Sequence, residues 1–212
     1  MKKYIFAIAF LAISLNTFAQ VPYFGSTAGK QELYTYIQYK AHPGNNNQGA
    51  YMSYAFGLHD RLDFVGNFNA STGFSSAAYG FKVNLFKQSW MKLGIQSWAD
   101  FDIRDNFKYT DLNTGLFING MITEKFGYCS NTWWTWNKGG EHDWDQWSYL
   151  SYDLVPTFTV MAGATTHFSD DFKTQPVLGI YFPVYKTTCY IWSTNWINGE
   201  KPRVVIGFDY KF

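Results

Sequence analysis

Apolar and polar side chains alternate along most of this chain. The stretch LDFVGNFNA sets Leu62, Phe64, Gly66, Phe68 and Ala70 against Asp63, Val65, Asn67 and Asn69. AYGFKVNLF sets Tyr79, Phe81, Val83 and Leu85 against Gly80, Lys82, Asn84 and Phe86, and MKLGIQSWADF opposes Met91, Leu93, Ile95 and Ala99 to Lys92, Gly94, Gln96 and Asp100. Successive side chains of an extended strand point to opposite faces, so a period of two predicts strands with one oily and one polar face. Turn signals between these runs predict twelve strands, at 31–41, 49–58, 62–71, 76–86, 90–101, 112–123, 126–137, 144–153, 156–166, 175–185, 187–197 and 202–212. Each is near the ~9–11 residues with which a tilted strand crosses a bilayer. Merging 62–71 or 126–137 with a neighbour in register would leave ten strands.

A soluble sandwich would also alternate, apolar in and polar out. The connections separate the two readings. HDR, KQS, EK, VP and a turn at Lys186 are short, while HPGNNNQ, STGFSS, DIRDNFKYTD, NKGGEHD, FSDDFKTQ and NGEKP are longer, and the two kinds take turns. Short turns at one end and longer loops at the other are the layout of an up-and-down antiparallel barrel. Greek-key crossings give no reason for such sorting. The predicted fold class is therefore all-β, a transmembrane up-and-down antiparallel β-barrel spanning 31–212 as one domain.

Export fits this reading. MKKYIFAIAFLAISLNTFAQ carries Lys2 and Lys3, an apolar run to about Leu15, a polar break and a small residue at Ala19. That is the layout of a signal peptide over residues 1–19, with an apolar core too short for a comfortable membrane span. A short periplasmic segment, 20–30, is expected to follow it. Loss of the two lysines takes the formal charge from +1 to −1, which implies no nucleic-acid partner. The chain is 21% Phe, Trp and Tyr and only 16% charged, more aromatic than an ordinary soluble exported domain needs.

The final stretch VVIGFDYKF places Val204, Ile206, Phe208, Tyr210 and Phe212 on one face of a strand. In a closed barrel that strand pairs with QELYTYIQYKA and turns this face to hydrocarbon. Ile206, Phe208, Tyr210 and Phe212 resemble the assembly signal of bacterial outer-membrane barrels, and YAFGLHDRLDFVGNF looks like the hairpins of small porin-like and transporter-like members. The resemblance implies an outer-membrane location, with membrane lipids and the barrel-assembly machinery as partners. It names no solute.

Trp134, Trp136, Trp144, Trp192 and Trp196 lie towards the long-loop end and read as an interfacial aromatic girdle, because an apolar ring with a polar tip suits headgroup depth. A second reading makes any inward tryptophan, such as Trp133, a stacking platform for solute. Parity turns Asp63, Asn67, Lys82, Asn84, Lys92, Gln96, Asp100 and Arg203 into the lumen, with Tyr34, Tyr36, Gln38, Lys40, Trp98, Asn119, Asn131, Asp209 and Lys211. Charges of both signs would either line a narrow polar channel or pair into a plug. Twelve strands lie between the filled barrels of ~8 and the open channels of ~16. Inward Gly, Ser and Asn leave space, which favours a pore.

Cys129 and Cys189 are both expected inward near the short-turn end, four strands apart and beyond the ~7 Å that a disulfide can bridge. No metal or cofactor is assigned: Glu141, His142, Asp143 and Asp145 would hold calcium only through a particular folding of their loop. In HFSDD, His167 and Ser169 resemble part of the lipid A deacylase motif, with Asp170 where that family has Asn, so the resemblance rests on two residues. The expected function is passive diffusion of small polar solutes without chemistry or cofactor. A closed structural or surface-binding barrel and an outer-membrane acyl hydrolase are the alternatives.

Overall fold

A computed structural model of the chain describes residues 25–41, 48–88, 90–168, 172–185, 187–197 and 202–212. The signal-peptide reading of 1–19 lies outside the described residues, as does Ser169. Where the sequence alternates, the described residues form twelve strands: β1 (Leu33–Ala41), β2 (Gly49–His59), β3 (Leu62–Ser71), β4 (Phe74–Lys87), β5 (Lys92–Asp102), β6 (Lys108–Met121), β7 (Phe126–Asn137), β8 (His142–Val155), β9 (Phe158–Phe168), β10 (Lys173–Val184), β11 (Thr187–Thr194) and β12 (Arg203–Lys211).

Each strand pairs antiparallel with its sequence neighbours, and β12 returns to β1 to close the barrel. The closing seam runs from Tyr34 opposite Lys211 to Ala41 opposite Val204. The Phe212 N–H donates to Leu33 O at 2.8 Å, and Lys211 is ion-paired with Glu32. Closure leaves no sheet edge unpaired, which a barrel in hydrocarbon requires.

The face that closure turns outward is apolar. Ile37, Tyr39, Phe56, Phe81, Leu85, Leu150, Leu178, Ile206 and Phe208 are all large and exposed. Soluble monomers rarely expose contiguous apolar surface beyond a few hundred Å². A band of this kind all round the barrel marks a lipid-facing surface.

The connections are less sharply sorted than the sequence suggests. STGFSS collapses into a two-residue turn at Thr72 and Gly73, with Gly73 at φ 91°. A β-carbon is strained at that dihedral, which explains the glycine. DIRDNFKYTD likewise shortens to 103–107, because β5 and β6 continue past the residues where alternation fades. Bulges at Asn84/Phe86 and Asp100/Phe101 shift the register there and blur the period.

Candidate functional site

The inward faces of β1 to β12 enclose a cavity of about 320 Å³. Its wall runs from Lys40 and Arg203, near the long-loop end, to Lys82, Tyr181 and Asp209 deeper in. Most of the wall is aromatic. Trp98 stacks on Trp133 with centroids 5.0 Å apart and planes at 28°, and Phe117 meets the same Trp133 edge-on at 5.1 Å. Trp147 and Trp192 form a second edge-on pair at 4.7 Å. Beneath them Tyr149, Tyr181, Tyr190, Met161 and Cys129 pack as one buried cluster.

The inward polar groups largely satisfy one another. Tyr34 donates to Asp209 Oδ2 at 2.9 Å, Thr188 N donates to Asp209 Oδ1 at 3.1 Å, and Gln38 Nε2 donates to the Tyr190 hydroxyl at 2.9 Å. On the opposite wall Asn113 Nδ2 donates to Asp100 Oδ2 at 2.6 Å while Thr135 donates to Asn113 Oδ1 at 2.5 Å. Asp111 stands opposite Asp100 across the β5–β6 pairing. Lys40 Nζ lies 4.7 Å from the Tyr51 ring centroid, a cation–π distance.

The short-turn end is crossed by the chain's own N-terminal segment, Gly25 to Glu32. Gly25 N donates to Asn119 Oδ1 at 2.8 Å, and Asn84 Nδ2 donates to Gly25 O. Ala28 N donates to Asp63 Oδ2 at 2.8 Å, Thr27 Oγ1 donates to Asp60 O at 2.6 Å, and Gln31 N donates to Gly57 O at 2.8 Å. Thr27 and Ala28 are buried by this fit. The small residues of GSTAGK let a backbone lie against the inner wall where bulkier ones would collide.

The eight residues read as lumen-lining therefore divide. Lys82, Gln96 and Arg203 border the cavity; Asp63 and Asn84 grip the N-terminal segment instead. Lys82 is fully buried opposite Asp63, with its ammonium 5.1 Å from the Phe117 centroid. Lys92 lies at the short-turn end of β5, Asn67 is buried facing Ser53 and Ala78, and Asp100 is held by Asn113.

Trp134, Trp136 and Trp144 point outward near the long-loop end. Trp134 stacks on Trp144 at 6.0 Å, and Trp144 meets Phe168 at 4.7 Å. Trp196 follows β11 and donates Nε1–H to Ser193 Oγ at 2.7 Å. Trp192 corrects the girdle reading: its register partners Gly179 and Val205 share the inward face, it is 7% exposed, and it borders the cavity. Cys189 is corrected in the opposite sense, since it pairs with Phe182 and with the outward Phe208. Bulky groups occupy both faces of β11, so hydrophobicity alone carries no parity there. Both cysteines are free, Cys129 buried inside the barrel.

His167 Nδ1 lies 2.7 Å from Asp145 Oδ1, on inward positions of β9 and β8. Among the described residues no three His, Cys, Asp or Glu side chains are grouped to hold a metal.

A closed twelve-stranded barrel with an apolar exterior and an internal cavity has the fold of bacterial outer-membrane porins. Among solved structures, the KdgM porin superposes with a TM-score of 0.67 and 6% identity, over 84% of this chain and 99% of that one. The NanC porin gives 0.62 and 11% over 85% and 100%. The COG4313 outer membrane channel from Pseudomonas putida F1 gives 0.62 and 12% over 91% and 100%. No family model and no curated protein matches the chain. Identities this small carry the fold and leave the solute to the site.

Proposed function

We propose that this protein is an outer-membrane channel through which small solutes diffuse passively, with no covalent chemistry. The observation that carries this reading is the cavity itself, about 320 Å³ of space inside a closed, lipid-facing barrel. A barrel whose only task was structural would gain by filling that space, because interiors pack densely and voids cost stability. The KdgM porin has also been captured with a disordered oligogalacturonate. An acidic solute suits the present lumen too: Lys40, Lys82 and Arg203 border the cavity against one carboxylate, Asp209. Outer-membrane lipids would surround the exterior, and assembly machinery would read Ile206, Phe208, Tyr210 and Phe212 on the last strand.

A second reading, a closed barrel used for structure or surface binding, is favoured by the segment that crosses the short-turn mouth. Planar-bilayer recording separates the two. Discrete steps, with selectivity moved towards cations by Lys40→Glu and Arg203→Glu, are expected of the channel. A silent bilayer containing verified, folded protein would sink it and leave the closed barrel.

A further inference from the structure

We propose that the cavity is a binding site for flat, ring-bearing carboxylates of one or two fused aromatic rings; the proposal rests on the reading of the lumen as a solute path. Size sets the first limit. A dry cavity of ~150 Å³ accommodates benzene, so one of about 320 Å³ has room for roughly two rings.

The wall sets the second. The Trp98–Trp133 stack and the Trp147–Trp192 pair offer ring faces and edges, and aromatic pairs prefer offset or edge-on contact with a further ring. A sugar would need donors and acceptors aimed at its hydroxyls. Here Gln38 is bonded to Tyr190, and Tyr34 to Asp209. A solute that asks for few hydrogen bonds along its rings fits such a wall best.

Charge sets the third. Lys40 on β1 and Arg203 on β12 border the same end of the cavity. Asp209, the carboxylate on that lining, lies six residues further along β12, ~20 Å at the rise of a strand. It is already held by Tyr34 and Thr188. Lys82, the third cation on the lining, is fully buried deeper in and faces Asp63, while Asp100 and Asp111 stand on the far wall, with Asp100 held by Asn113. A carboxylate therefore finds partly exposed cations on the β1–β12 wall at the long-loop end and ring faces below, which orients the solute carboxylate-outward.

The test is isothermal titration of the folded protein in lipid nanodiscs with 2-naphthoate, 2-naphthamide and glucuronate, with empty nanodiscs subtracted. The expected result is saturable binding of one naphthoate per barrel, at least ~10-fold weaker for the amide and ~100-fold weaker for glucuronate. Lys40→Met should weaken naphthoate about as much as removing its charge does. Trp133→Leu, on β7 across the barrel from Lys40 and Arg203, should weaken naphthoate and amide alike; heat-shifted gel migration verifies that each variant is folded. Non-saturable naphthoate, equal affinity for the amide, or glucuronate binding as tightly as naphthoate would each overturn the proposal. Bilayer recording on the same preparation keeps the two readings apart. A conducting barrel that ignores naphthoate would sink this inference alone, and a silent barrel that binds it would sink only the channel.

Discussion

Gly25 sits where a side chain has no room: a β-carbon there would come 2.5 Å from Lys92 O and 2.7 Å from Asn119 Oδ1. Gly25→Val should therefore push the N-terminal segment off the wall while leaving every strand intact. The expected outcome is a severalfold rise in single-channel conductance with heat-shifted gel migration retained; unchanged conductance would show that the segment does not limit the path. Asp63 works on both sides of its carboxylate, accepting from Ala28 N and facing the buried Lys82. Removing one partner of a buried charge pair costs about 3–5 kcal/mol, whereas apolar replacement of both is often close to neutral. Asp63→Ala should lower the unfolding temperature clearly, and Asp63→Leu with Lys82→Met should recover most of the loss. That recovery is measured by the temperature dependence of gel migration.

Among the strands, legibility followed the chemistry of the two faces. β3 and β4 have apolar groups on one face and Asp63, Asn67, Lys82 and Asn84 on the other, so their orientation could be read directly from the sequence, as could the limits of β3, whereas β4 runs on at both ends, from Phe74 to Lys87. β11 could not be read that way. Tyr190 and Trp192 face the lumen although their hydrophobicity suits lipid equally well, and only register with neighbouring strands decides. Parity turns Tyr34, Tyr36, Trp98 and Trp133 inward, and they line the cavity; Phe117, Trp147, Tyr149, Tyr181, Tyr190 and Trp192, also on the aromatic wall, were not legible in the sequence. The grip on Gly25 was invisible too, because Asn84 and Asn119 are inward polar residues whether they meet solute or backbone. A test of these faces is quenching by lipids brominated near the headgroup. Trp144→Phe should reduce the quenched share of the fluorescence, whereas Trp192→Phe should leave the quenched amplitude unchanged.

At the scale of the whole barrel, closure is a single seam between β1 and β12, and its loss would expose two edges at once. A chain truncated after Gly199 should consequently fail to show heat-shifted migration and should aggregate, whereas substitutions confined to the 103–107 loop should leave both properties unchanged. The seam also sets Lys40 opposite Val205, one inward position from Arg203, while Asp100 and Asp111 occupy β5 and β6 on the far wall at the same end. Cations facing carboxylates across the barrel set up a field perpendicular to its axis. Such a field would turn a molecule with a separated charge and an apolar body into alignment before it meets the aromatic wall, and would leave one without a dipole unturned.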